Sequence, residues 1–393
     1  MQGRAGCRLT SVDVAIVGAG PAGARAAYVL ARQGAHVTIF DGSHPREKPC
    51  GGGVTGRALA LVGSALDIGR LPVCAIRSVR VLDAAGGSAA VPLRTPSALV
   101  VASRTDFDGQ LLAAARDAGA QLLAARVTDV AIERDSVRIE TTAGSLRAAH
   151  VIGADGANSL IRRRLAAPFR RHQLSIATGY FAHGVTSDEI VIELVADPAG
   201  YIWSFPRPTH LAIGICAQAN AATAAALRAT VLAWMHERGI AAGARLEPYA
   251  WPIPSLAAAD FDGLTISGRG WSLAGDAAGL VDPITREGIY FALRSAQWAA
   301  DAVASDDTRP SARYAERVRA DIGAELARAA RFKASFFRPR FTRVMIDALR
   351  HSARIREVMA DLVAGSQPYA GLKWRLAKTL EVGLAWRLMR QRE

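Results

Sequence analysis

The chain has 393 residues, half of them hydrophobic and 21% charged, which is the composition of a globular protein rather than a disordered one. That length exceeds the usual single domain, so two or three lobes are expected. No apolar run approaches the ~18 residues needed to cross a bilayer, and the first residues lack the apolar core of a secretory signal. Four cysteines (Cys7, Cys50, Cys74 and Cys216) show no C-x-x-C spacing, which argues against a zinc site or a disulfide framework. A cytoplasmic chain with reduced thiols and no metal site is the expectation. The net charge is +13, and residues 311–393 hold 18 Lys or Arg against 8 Asp or Glu. This is either a solvated basic face or a surface attracted to anionic lipid. No recognisable nucleic-acid module accompanies it.

Residues 12–17, "VDVAIV", read as a strand buried on both faces. "GAGPAG" follows at 18–23, then a helix ending at Gly34, then a second buried strand, "AHVTIF", closed by Asp41. Strand, G-x-G-x-x-G, helix, strand and acid form the order of a dinucleotide site. Gly18 permits the turn, Gly20 lets backbone N–H groups reach a pyrophosphate, and Gly23 lets helix and strand pack closely. Pro21 and Ala22 open the helix whose N-terminus would face the phosphates. Asp41 lies 23 residues after Gly18, close to the offset of an acid that binds a ribose hydroxyl.

"EKPCGGGV" at 47–54 follows. Gly51, Gly52 and Gly53 are more glycines than a turn requires, so a close approach to the backbone is expected there. Further along, "ASRTDFDGQLL" (102–112) contains Arg104, which either caps or pairs at the surface or sits against a cofactor. "AAHVIGADGANSLIRR" (148–163) is a strand entering a second glycine turn with Asp155 and Gly156. "GWSLAGDAAGLVDPITREGIYFALRSA" (270–296) is another strand, ending in Gly275 and Asp276 before a loop and a helix. The three turns would meet at the strand ends, where open α/β sheets bind ligands. Tyr201, Trp203 and Phe205 in "PAGYIWSFPRP" share one face of a strand. They would form either an aromatic core ridge or the lining of an apolar tunnel.

In their order, "GAGPAG", "GADGANS" and "GDAAGLVDP" resemble the FAD-dependent enzymes of the aromatic-hydroxylase type. The string P-x-x-Y-x-W-x-F-P at 198–206, with "KPCGGG" and "GSQPYAGLKWRL", resembles the geranylgeranyl reductase family within that superfamily. The resemblance runs from about Val12 into the 380s. It implies FAD as cofactor, reduced by NADPH or a ferredoxin-like carrier, and the saturation of double bonds in a prenyl chain on a lipid, quinone or pigment. Carried over, Asp276 holds the ribityl hydroxyls, and the backbone of Gly288 and Ile289 meets the flavin ring. Gly51–Gly53, Arg104, Val127, Asp155, Gly156 and Gly275 would surround the cofactor. Tyr201, Trp203, Phe205 and Pro206 would line the substrate tunnel, and Cys50 would face the chemistry as proton donor or flavin polariser. A small buried hydrophobe is the other reading of Cys50. A monooxygenase on the same scaffold and a non-catalytic flavin-binding membrane protein are the alternative functions.

The fold expected is α/β: a Rossmann-like FAD-binding domain at 10–60, 100–165 and 265–310. An interleaved α+β substrate domain with a mixed sheet takes 61–99 and 166–264, and a helical region takes 311–393. Two charged positions in the flavin loop, Asp282 and Arg286, suggest a polar group near the tunnel. Leu372, Leu376, Leu380, Leu384 and Leu388 recur every fourth residue beside Lys373, Arg375, Lys378, Arg387 and Arg390, with Trp374 and Trp386 among them. Such a stripe packs on a core or lies on a membrane surface. Peripheral contact with the inner face of a membrane is therefore expected.

Overall fold

The computed structural model describes residues 11–305 and 307–379. Its first sheet is built on the strand Ser11–Val17, which pairs in parallel with Val37–Phe40 on one side and Gly144–Gly153 on the other. Gln121–Leu123 and Trp271–Leu273 continue the parallel order outward. The apolar runs are continuous because both faces are covered, and Val14, Ala15 and Ile16 are all buried. Helices Pro21–Arg32 and Ile289–Val303 lie against one another over this sheet through alanine-rich faces. Two antiparallel strands, Val127–Ile132 and Val137–Thr141, hang from Gly144–Gly153.

Buried within this sheet, the His150 ring bonds the Ser272 hydroxyl at 3.1 Å. Burial pushes its imidazole down to about 4. A base depressed in the folded state binds its proton more readily when unfolded. Its contribution is therefore complete above the ordinary value of 6.5 and is lost as pH falls toward 4. A loss of about 3 kcal/mol is expected across that window. Urea midpoints measured from pH 7 to 4 check this, and His150→Gln should flatten the slope.

The second sheet is mixed and has seven strands. It runs Arg245–Pro254, Leu174–His183, His210–Gln218, Ala199–Pro206, Ile190–Ala196, Ser78–Asp83 and Ser88–Pro92, with one parallel pair between Ile190–Ala196 and Ser78–Asp83. Side-chain alternation gives it two different faces. Ile202, Ile213, Ile215 and Ala217 pack on helix Ala224–Glu237 through Leu227, Val231 and Trp234. Tyr201, Trp203, Phe205 and Cys216 point the other way, over the site.

A small sheet of Gly53–Thr55, Leu99–Ala102 and Val73–Ala75 joins the two halves. The strand Val73–Ala75 thus pairs in this small sheet rather than in the seven-stranded one. Leu59, Val62, Leu66 and Leu71 pack with Ala24, Phe107 and Leu293, the helix faces that offer them the most apolar surface.

From Pro310 the described chain is helical. Helix Pro339–His351 lays Met345, Ile346 and Leu349 against Val79, Val81 and Val91 of the second sheet, and Ala353–Val363 follows it. Ser352 caps the second of these, its hydroxyl accepting from the amide of Ile355. In Leu372–Ala377 only Leu372 is buried, while Trp374 is 67% exposed and Leu376 also faces solvent. The stripe positions Leu380, Leu384 and Leu388, with Trp386, Arg387, Arg390 and the N-terminal Cys7, lie outside the described residues. No helix among the described residues is long and apolar enough to cross a membrane.

Candidate active site

A cavity of about 1180 Å³ runs between the two sheets. At one end it meets the first glycine turn. Gly18 has φ +100°, and a Cβ there would sit 2.4 Å from the carbonyl oxygen of Ala154. The turn thus presses on the second glycine loop, and helix Pro21–Arg32 points its free N–H groups into the cavity from Gly20. Pro21, Ala22, Val127 and Gly156 line the same end. Asp155 sits beside them with Oδ2 accepting from the amides of Leu160 and Ile161. Burial raises its pKa above the usual carboxylate value, and Oδ1 has no partner. An orphaned buried acceptor beside a cradle of N–H donors is the signature of a site shaped for a polar ligand with hydroxyls and phosphates.

Asp41 lines the cavity but also organises its own loop. It accepts from the amides of Ala19, Ser43 and His44 and from the ring of His44 at 2.7 Å. Although burial opposes ionisation, those donors hold the carboxylate well below its ordinary value. Asp276 forms an ion pair with Lys48 at 2.9 Å, both facing the cavity. Gly288 caps helix Ile289–Val303, whose first turn also opens on the cavity. Gly23, Gly275 and Pro206 stand behind the wall. A Cβ on Gly23 would strike the carbonyl of Gly18 at 1.8 Å, so its role is helix–strand packing. Gly275, at φ +59°, is closed in by Ala22 and Ala292. Pro206 is buried where its strand pairs with Leu211.

The glycine run 51–53 lines the cavity and is also closely approached from within the protein. The ring of Phe205 would lie 2.9 Å from a Cβ on Gly51 and 3.2 Å from one on Gly53. Gly52 has φ +83°, with the carbonyl of Ala102 and the guanidinium of Arg207 against it. The contacts to Phe205 and Arg207 are ones the sequence spacing did not connect.

Cys50 lies at the crossing of two buried arginines. Arg104 is 4% exposed, holds Asp108 through Nε at 2.9 Å and Nη2 at 2.7 Å, and places Nη1 3.7 Å from the Cys50 sulfur. Arg207 is fully buried and donates to the carbonyl of Cys50 at 2.7 Å. Arg207 is also ion-paired with Glu47, which accepts from the Ser103 hydroxyl at 2.6 Å and from the amide of Arg104. Desolvation works against the Glu47 charge, but Arg207 and these donors leave its pKa below the usual value. Of the two readings of Arg104, its burial rules out the surface one: it supports the thiol and also lines the cavity. Glu47, Lys48, Asp108 and Arg207 escaped the sequence reading although each lies in or next to a motif noted there.

Beyond Cys50 the cavity turns apolar. Tyr201, Trp203 and Phe205 share its roof with Ile192, Leu194, Val79 and Val81, and Met345, Met359 and Val363 close the far side. Tyr201 donates to the Thr285 carbonyl at 2.9 Å, and Trp203 lies over Gly214, where any side chain would collide with its ring. Asp282 is turned away from the tunnel: its carboxylate accepts from the amides of Ile284 and Thr285 and from Tyr369. Arg286 does line the cavity. Among the described residues no cluster of three or more His, Cys, Asp or Glu is arranged to hold a metal ion.

Comparison with known proteins agrees with this geometry. The FAD binding domain family matches residues 11–238. The geranylgeranyl diphosphate reductase of Rhodobacter capsulatus is 31% identical over 74% of each chain. The chain belongs to the geranylgeranyl reductase family of FAD-dependent oxidoreductases. The menaquinone reductase of Mycolicibacterium smegmatis, 29% identical, is covered over 98% of both chains. A geranylgeranyl bacteriochlorophyll reductase-like structure from Thermoplasma acidophilum superposes with a TM-score of 0.77 at 20% identity, covering 94% of this chain and all of that one. It shares the fold. The cradle at Gly18, Gly20 and Asp155 and the helix end at Gly288 suit FAD, the cofactor of this family.

Proposed function

We propose that the protein reduces carbon–carbon double bonds in the prenyl chain of a lipid, quinone or pigment. The reading is carried by the continuity of the cavity from the glycine turns, past Cys50, into an apolar slot roofed by aromatic rings. Bound FAD supplies the hydride. The turn at Gly18 and Gly20 and the helix at Pro21 hold its phosphates, and Asp41 takes a ribose hydroxyl. Asp276 takes the ribityl hydroxyls when Lys48 releases it. Tyr201, Trp203 and Phe205 orient the chain and exclude water, at ~25 cal/mol per Å2 of apolar surface buried. The Cys50 sulfur gives a proton to the carbon that does not receive the hydride and is reprotonated from solvent. Arg104 and Arg207 hold that residue in place. The electrons arrive from NADPH or a ferredoxin-like carrier.

The test is anaerobic. Holoprotein reduced by light should be reoxidised by a geranylgeranyl compound, whose mass rises by one hydrogen molecule per bond saturated. Reoxidation only on admission of oxygen, with a hydroxylated product, would instead establish a monooxygenase. NADPH and reduced ferredoxin are compared in the reductive half.

The same proposal includes docking to an anionic membrane surface, supported by exposed Trp374 and Leu376 among Lys373, Arg375 and Lys378. Vesicles containing anionic lipid should float the protein, and Trp374→Glu should cut the bound fraction severalfold. Equal flotation of the two proteins would remove this part.

A further inference from the structure

The roof of the cavity is unequal along its length. Toward Ser78–Asp83 it ends in methionines and valine, whereas toward Arg245–Pro254 its wall carries Arg286, with Lys333 and Ser255 standing directly behind it. Trp251 and Ile253 face the cavity from that edge strand, and Ser255 comes next on the same side. The Ser255 hydroxyl accepts from Arg286 Nη1 at 2.6 Å and from Lys333 Nζ at 2.9 Å. Lys333 also donates to Gln218 at 3.1 Å. Two positive groups thus share one neutral oxygen, and neither forms an ion pair with a carboxylate among the described residues. Desolvation, followed by the charge of Arg286, depresses the Lys333 ammonium to about 8.

Two further features tie this cluster to a ligand. Arg286 Nε and the indole N–H of Trp251 are buried with no hydrogen-bond partner among the described residues, and both residues line the cavity. The groups left over, Arg286 Nε and the Trp251 indole N–H, are donors beside two cations, so what completes them must bring acceptor oxygens and negative charge. Arg286 also has φ +61°, a left-handed conformation that a side chain adopts at a cost. A glycine would relieve it, so the position favours a long cation over an easy backbone.

We propose that Arg286 and Lys333, with Ser255 and Trp251, bind the oxyanionic head, a phosphate or diphosphate, of a prenyl substrate whose tail occupies the apolar end of the cavity. This rests on the prenyl reading and narrows it to a charged substrate over a neutral quinone or alcohol.

The experiment measures binding to oxidised holoprotein, so that it does not depend on turnover. Geranylgeranyl diphosphate should bind at least about tenfold more tightly than geranylgeraniol, the scale of one charge-assisted contact. Arg286→Gly and Lys333→Met should each weaken the diphosphate by about tenfold and leave the alcohol within twofold. Inorganic pyrophosphate should compete with the diphosphate in the wild type and more weakly in both variants. Equal affinity for alcohol and diphosphate overturns the subsite, as does equal weakening of both ligands, or tighter binding of a menaquinone untouched by either change. Diphosphate selectivity without any reoxidation of reduced flavin would leave the subsite standing and sink the prenyl-reductase reading alone.

Discussion

Replacing Glu47 with alanine is expected to destabilise the fold by about 3–5 kcal/mol, because it strands a fully buried guanidinium without its counter-charge. Arg207 would keep the carbonyl of Cys50 and the face of Phe181, 5.2 Å from the ring centre, and nothing else of opposite charge. Arg207→Met is expected to cost less, about 1–3 kcal/mol. Glu47 would retain the Ser103 hydroxyl and the Arg104 amide, and its side chain is 26% exposed to water. The order of the two variants in urea melts is the test: a larger loss in Arg207→Met would contradict it. The pH dependence has a definite sign. A carboxylate depressed in the folded state stabilises fully above its ordinary value near 4.5, and that contribution is lost as pH falls through the lower folded value. Glu47→Ala should remove this acid-side slope.

Removing the thiol of Cys50 is expected to slow alkene-dependent reoxidation of reduced flavin by about 10²–10⁴-fold, the usual share of a positioned acid. Flavin reduction by the donor and FAD affinity should stay within a few-fold in Cys50→Ala. The neighbouring Arg104 and Arg207 are held chiefly by Asp108 and Glu47, so their geometry does not depend on the sulfur. Cys50→Ser tests the assignment from the other side, since a hydroxyl of similar size should restore part of the rate. Stopped-flow measurement of the two half-reactions separates them. Full reoxidation in Cys50→Ala would assign the proton to another group.

The first sheet was readable because its signals are local. Apolar runs such as 12–17, a glycine turn and an acid at a fixed offset all fall within a few dozen residues. The aromatic face of Tyr201, Trp203 and Phe205 follows from strand alternation alone. What supports the thiol is different in kind. Glu47 finds Arg207, and Lys48 finds Asp276, across long stretches of sequence that only the packing of two sheets brings together. Asp108 was within reach, four residues after Arg104 on one helix face, where an ion pair is a simple expectation. The glycines of 51–53 pointed to a close approach, but nothing local could name Phe205 as a neighbour of two of them. The packing of 59–71 was hidden for the same reason. An apolar pattern shows that a helix will bury a face, and only the competing surfaces decide against what.

The wall of the cavity draws on positions as distant as Val17 and Val363, and this imposes a timetable on maturation. The glycine-turn end of the cavity uses nothing later than the start of helix Ile289–Val303, whereas Met345, Met359 and Val363 leave the ribosome later. Pairings this remote form slowly, and until they form a half-made chain exposes the greasy roof of its own slot. Early capture of the dinucleotide would steady the first sheet during that interval, so flavin supply should govern how much protein escapes aggregation.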